Sequence, residues 1–369
     1  MNACNEAVQQ LFTPLTVRSL TVANRFVMAP MTRMASPNGV PGPDVAAYYR
    51  RRAEGGVGLI ITEGIRLPHP SAGWPTTISS IAGADALAGW QRVTDAVHTQ
   101  GGAIAAQLWH QGSERLGGDD SGALSPSGLD TNGQPKGRAL GTDELVVAAQ
   151  WYADAARNAR SVGFDAVEIH GAHGYLLDEF LWEKTNHRVD GYGGSPTARA
   201  RFPAEVVAAV RAAVGPDYPI IFRFSQWKTG HYDARIAETP DQLSAVLSPL
   251  VEAGVDVLHA STRRHYVPGF AQSGSMLSLA GWAKKLKGVP VIAVGSVGLQ
   301  TENGSDTAGS MVLPGSIETM ARQFRDGEFD LIAIGRALLA DPTWVNRLRD
   351  GTLHEFAGYH PDVALGDLR

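Results

Sequence analysis

The sequence predicts a single-domain (β/α)8 TIM barrel, and three observations point there. Eight short runs rich in Val, Ile, Phe and Ala recur along the chain, alternating with loops and helix-period segments. Connections entering the runs are tight and glycine-marked, whereas several leaving them are long. No GxGxxG or GxxxxGK occurs, which weighs against the runner-up, a doubly wound sheet. Eight units in 369 residues suit a closed barrel.

The runs are Arg25–Pro30, Gly58–Gly64, Ala103–His110, Ala166–Gly171, Ile220–Ser225, Val257–Thr262, Pro290–Ser296 and Leu331–Arg336. Each is short enough for a buried parallel strand. Helices are expected over Asp85–Gln100, Asp143–Ser161, Thr197–Ala213 and Asp241–Glu252. In the second of these, Leu145, Ala149, Tyr152, Ala156 and Ala159 recur at steps of three or four, the apolar stripe of a helix lying on a sheet. Asp85, Thr142 and Ser195-Pro196 mark helix starts, the last as a cap with proline in the first turn. Residues 1–10 read as a flexible tail, 11–350 as the barrel and 351–369 as a C-terminal tail packing on it. The long connections 111–142, 172–196, 226–240 and 263–276 all follow strands. In barrels, chemistry sits at that end.

Composition narrows the function. The net charge of −5 gives no electrostatic footprint for nucleic acid or an anionic membrane. No apolar run approaches the ~20 residues of a membrane span, and residues 1–10 lack a secretory pattern, so a cytoplasmic protein is expected. Cys4 stands alone, which rules out an intrachain disulfide, an iron–sulfur cluster or a thiolate zinc site.

Chemistry-bearing residues gather at the strand ends. The fourth run leads into His170-Gly171-Ala172-His173-Gly174-Tyr175, with Glu168 and His170 on one face by alternation. Two histidines suggest a metal pair, but barrel metallohydrolases need further His or Asp ligands at other strand ends, and the first strand closes with Met28-Ala29-Pro30-Met31-Thr32. Histidines that satisfy loop backbone remain an alternative. Glu168 is expected to be a paired charge inside the barrel, with Arg223 as the candidate partner. Gln107 and Trp109 share a face, and the donor and acceptor of Gln107 suit a planar heterocycle. The last two strands end in Gly295-Ser296 and Gly335-Arg336, where barrels often hold a phosphate.

Taken with the ordered motifs, the chain resembles the old yellow enzyme family of FMN-dependent ene-reductases from about Leu11 to Leu348. The motifs begin with Leu11-Phe12-Thr13-Pro14, Asn24-Arg25-Phe26 and Ala29-Pro30-Met31-Thr32-Arg33, followed by Gln107-Leu108-Trp109-His110. Then come His170-Gly171-Ala172-His173-Gly174-Tyr175-Leu176-Leu177, Asn186-His187-Arg188, Tyr192-Gly193-Gly194-Ser195 and Gly335-Arg336. The resemblance implies that Ala29, Pro30, Met31 and Thr32 lie along a non-covalent FMN and that Gly64 leaves room for its ring. Gln107 would bind the pyrimidine edge, and Arg223 would face the edge that gains negative charge. Gly295, Ser296, Gly335 and Arg336 would hold the phosphate. NADPH or NADH would be a transient hydride donor and an activated alkene the second substrate, in ping-pong order. His170 and His173 would bind the substrate oxygen, Tyr175 would supply the proton, and Trp74 and Trp109 would line the pocket. Trp227 and Tyr266 are further candidates for its walls. A metal-dependent barrel hydrolase and a non-catalytic flavin-binding protein are the alternatives. Family members range from monomers to higher assemblies, so a homo-oligomer stays open.

Overall fold

A computed structural model describes residues 3–73, 76–115, 120–300, 313, 315–365 and 368. A hairpin of β1 (Leu15–Val17) and β2 (Leu20–Val22) precedes the barrel. The barrel strands are β3 (Phe26–Met28), β4 (Leu59–Arg66), β5 (Ala103–Trp109), β8 (Ala166–His173), β9 (Ile220–Lys228), β10 (Val257–Ser261), β11 (Val291–Val294) and β12 (Leu331–Ile334). They pair in parallel in chain order, and β12 closes on β3. Between β5 and β8 lies a two-residue ribbon of β6 (Leu124–Ser125) and β7 (Arg138–Ala139). The molecule is therefore the predicted (β/α)8 barrel.

Alternation along the strands separates two apolar regions. Ile220, Phe222 and Phe224 of β9 join Val167, Ile169, Leu258 and Ala260 in the layer beneath the helices. Ile221 joins Ala166, Val257, Leu59, Ile292 and Leu331 inside the barrel, where Leu20 and Val22 close the lower end. Residues of both layers are buried, so each strand is covered on both faces.

A recurrent aspartate ties the lower end together. Asp165, Asp256 and Asp330 each precede a strand, and each accepts the first free N–H of the neighbouring strand. The pairs are Asp165 with Ile104 (2.8 Å), Asp256 with Ile220 and Asp330 with Val291 (both 2.9 Å). Asp256 also takes Arg18 at 2.8 Å and an ion pair with Arg211. These side chains satisfy backbone donors that would otherwise be buried without partners.

Helix boundaries differ from expectation by a residue or two. Ser195 caps its helix as predicted, its Oγ accepting from Ala198 N at 3.2 Å. Gly83 caps the helix marked by Asp85, which begins at Ala84, and Gly141 caps the helix that Thr142 opens as marked. At the second, Glu144 accepts the Gly141 N–H at 2.7 Å. The larger correction is at the N-terminus. Residues Ala3–Gln10 form a helix in place of the expected flexible tail, and Ala7 and Val8 pack against Ala321. Among the described residues no helix is long and apolar enough to cross a membrane.

Candidate active site

The C-terminal ends of the strands surround a cleft of about 460 Å³, within the range of small-molecule pockets. Ala29, Pro30, Met31 and Thr32 leave β3 along one wall, and His173, Tyr175 and Arg223 form another. Gly295, Ser296, Gly335 and Arg336 line the far end. A smaller recess of about 110 Å³ shares Pro30, Thr32, His173, Tyr175 and Arg223 with this cleft and adds Gln107, Trp109 and His170. All these predicted residues are thus brought to one place. Trp74 lies outside the described residues, and Tyr266 packs on His265 without lining the cleft.

Gly64 lies against Trp109. A Cβ there would fall 2.5 Å from the Trp109 indole, so the missing side chain admits Trp109. Trp109 in turn meets the Tyr175 ring edge-on at 4.9 Å, and His170 meets Tyr175 edge-on at 5.0 Å. Gly295 has φ +145°, and a Cβ would stand 2.6 Å from the Thr262 carbonyl. Next to it Ser296 adopts φ +49°, its Oγ donating to the Arg263 carbonyl and accepting from Arg336 Nη2 at 3.2 Å.

A buried polar chain runs inward from the cleft wall. Arg223 has only donors, so its 2.9 Å contact makes His259 Nε2 an acceptor and puts the imidazole proton on Nδ1. That Nδ1–H donates to Glu168 at 2.5 Å, and Gln107 Nε2 donates to the other Glu168 oxygen at 2.8 Å. Glu168 is therefore paired through His259 rather than directly with Arg223. Burial pushes its carboxyl up, but His259, Arg223 and Gln107 outweigh this and hold it below the usual range. Burial lowers Arg223 to about 10, against the attraction of Glu168, so the guanidinium stays charged at neutral pH. The Glu168 contact also fixes the Gln107 amide, leaving its Oε1 and one N–H for a ligand.

The histidine pair is neutral. Burial, reinforced by Arg223, lowers His170 to about 3 and pulls His173 well below its ordinary value. His170 Nδ1 accepts the Ala172 N–H at 3.3 Å, so its proton lies on Nε2. Ser261 Oγ accepts from Arg223 at 3.2 Å and bonds His173 Nε2 at 2.8 Å, so Nδ1 is the His173 nitrogen left for a ligand. His173 has φ +67°, an uncommon conformation for a side-chain-bearing residue. It is held by Ser225 Oγ on its N–H (3.0 Å), Thr229 N on its carbonyl (3.2 Å) and the Trp227 indole stacked at 4.3 Å. Burial, aided by Glu114, raises the Tyr175 phenol to about 12, so it keeps its proton.

Sequence reasoning missed His259, Ser261, Lys228 and Tyr359. Lys228 is buried with Asp178 at 2.9 Å, and the second Asp178 oxygen holds the Gly174 N–H at 2.7 Å, between His173 and Tyr175. The signal for His259 and Ser261 was the alternation of Val257, His259 and Ser261 towards the barrel axis. Tyr359, in the C-terminal tail, lines the cleft beneath Arg336, whose guanidinium lies 5.6 Å over its ring.

Residues 10–355 match the model of the NADH:flavin oxidoreductase / NADH oxidase family. The chain belongs to the old yellow enzyme family. This old yellow enzyme relative is 34% identical over 359 residues to the "NADH oxidase" of Thermoanaerobacter brockii. That alignment covers 94% of this chain but 51% of the relative, so the chain spans about half that protein's length. It is 30% identical over 393 residues to "12-oxophytodienoate reductase 7" of Oryza sativa subsp. japonica, covering 96% and 93% of the two. Morphinone reductase in complex with tetrahydroNAD superposes with a TM-score of 0.77 at 30% identity, over 96% of this chain and 93% of that one. Old Yellow Enzyme from Pichia sp. AKU4542 gives 0.78 at 26% identity, over 96% and 90%. The chain is accordingly an NAD(P)H-dependent flavin oxidoreductase, and this membership sets aside the metal-hydrolase alternative.

Proposed function

We propose that the protein reduces the activated C=C bond of α,β-unsaturated carbonyl or nitro compounds, with FMN resident in the cleft and NADPH or NADH as the donor. One observation carries this reading: two neutral imidazoles and a protonated phenol, His170, His173 and Tyr175, converge on one wall of the cleft. Neutral donors can polarise an oxygen without giving up their protons, while the phenol retains one to deliver.

The residues present fit the flavin. Arg223 Nε is buried with no hydrogen-bond partner, an orphan that a ligand acceptor would satisfy. Gln107 presents a donor and an acceptor beside it, as the pyrimidine edge of the ring requires. Ser296 and Arg336 pair at the far end, and together with Gly295 and Gly335 would hold the phosphate. Ala29, Pro30, Met31 and Thr32 would lie along the ring. When bound, the flavin supplies the hydride.

The chain's own part is to bind, orient and protonate. His170 Nε2–H and His173 Nδ1–H donate to the carbonyl or nitro oxygen and draw electron density from the alkene. Tyr175 then passes its phenolic proton to the α-carbon as the β-carbon receives hydride. Trp109, wedged between Gly64 and Tyr175, keeps the phenol in place. The test is an anaerobic visible spectrum of the purified holoprotein. Flavin bands should bleach on adding NADPH and return on adding cyclohexenone. Bands that bleach but never return with an enone or a nitroalkene would overturn the reading.

A further inference from the structure

A second cavity, of about 380 Å³, opens beside the flavin cleft and shares Trp227, Ser261 and Thr262 with it. Among the described residues its lining carries Arg235, Arg263 and Arg264 with one carboxylate, Asp233. Arg235 disfavours the charge on buried Lys228. Nothing in the packing calls for Arg235 to be there. It is exposed, its Nη1 reaches only the carbonyl of Ala234 at 2.8 Å, and among the described residues it joins no ion pair.

The two cavities are linked by a row of planar groups. The Trp227 indole stacks on His173 at 4.3 Å, Tyr232 lies 6.1 Å beyond Trp227, and the Arg263 guanidinium sits 3.8 Å over Tyr232. The row runs from the oxygen-binding histidines to the cationic wall. Arg263 is thereby held flat at the cavity, a posture suited to forked bonds to a phosphate.

We propose that this cavity receives a phosphate of the nicotinamide dinucleotide while its ring lies in the cleft. The inference rests on the proposed reductase function, in which such a dinucleotide enters the cleft. A dinucleotide carries its phosphates away from the ring through a ribose, so its anionic part must leave the cleft over one wall. The wall at Trp227 and Thr262 opens onto positive charge.

Stopped-flow reduction of the holoenzyme tests it, with NADPH, NADH and the phosphate-free 1-benzyl-1,4-dihydronicotinamide as donors. Arg235→Gln and Arg263→Gln should each raise the dissociation constant for NADPH five- to tenfold with the limiting rate unchanged, and leave the benzyl donor unaffected. A rise for NADPH alone assigns the 2′-phosphate, and an equal rise for NADH assigns the diphosphate. Arg235 is exposed, so its variant stands even where Arg263→Gln does not fold. Calorimetric titration with the non-reducing tetrahydro-NADPH reads the same site without turnover. Unchanged affinity in the Arg235 variant, or equal weakening of the benzyl donor, overturns the proposal. Binding of tetrahydro-NADPH without reduction by any donor would instead overturn the reductase reading.

Discussion

The two ends of the barrel are built from the same strands and differ in what the strands turn inward. At the lower end the inward residues are apolar: Ala166 on β8, Ile221 on β9 and Val257 on β10. Two residues further along each strand they are Glu168, Arg223 and His259, all buried. One step in the pleat therefore separates a core that stabilises from a polar layer that costs desolvation. The lower end tolerates loss of an apolar contact as a loss of stability alone. At the upper end each polar group is aligned by another, so a lost group should be felt in function first.

The largest effect expected of this division is at Tyr175. Tyr175→Phe keeps the ring against Trp109 and His170 and removes only the proton. Single-turnover oxidation by cyclohexenone should slow by roughly 100- to 10,000-fold, while flavin reduction by NADPH and the melting temperature stay put. An equal loss in both half-reactions would remove Tyr175 from the donor role.

Lys228 ties the upper end to the scaffold. All three of its donors are used, on Asp178 and on the carbonyls of Ser225 and Gln226. Burial raises Asp178 to about 6 even with Lys228 beside it. Lys228→Met strands that carboxyl and should cost about 3–5 kcal/mol in chemical denaturation. Lys228→Met with Asp178→Leu should recover most of the stability but not the turnover, because Gly174 N–H loses its acceptor. Recovery of both would mean that the pair does not position His173 and Tyr175.

How far each end could be read from the sequence follows from the same contrast. The eight strands and the helix faces were legible because alternation and helical spacing are local patterns. The lower end needs little more, since any apolar residue of suitable size fills it. The polar layer depends on which residues from β8, β9 and β10 meet. Glu168 was assigned to Arg223, yet His259 stands between them, a detail set by register across two strand pairs. Gly64 admits Trp109 from the adjacent strand, which no reading of β4 alone reveals. Run Ile220–Ser225 continues to Lys228 because Asp178, some fifty residues earlier, neutralises a lysine that otherwise reads as loop.

Ile221 offers the control from the lower end. Ile221→Ala should lower stability by about 2–4 kcal/mol through the cavity it leaves. The flavin spectrum and both half-reaction rates should remain those of the unaltered protein at 25 °C. A change in the rates would show that the lower core also sets the geometry of the upper layer, and would break the division drawn above.

The smallest effect concerns a cost the upper end carries at neutral pH. Glu179 is fully buried, with one oxygen on Ser113 N and Oγ and the other without a partner. Burial, with Glu114 and Asp178 nearby, pushes its carboxyl well above the ordinary 4.5 despite the Ser113 bonds. The folded chain therefore holds a proton that the unfolded chain releases above pH 4.5, so this group's contribution to stability falls as pH rises from there. The slope is at most about 1.4 kcal/mol per pH unit. Glu179→Gln cannot titrate, so its melting temperature should gain on the unaltered protein between pH 4.5 and pH 8 and run parallel to it below pH 4.5. A difference that does not change with pH would mean that Glu179 ionises alike in both states, and that the buried face behind Tyr175 bears no such cost.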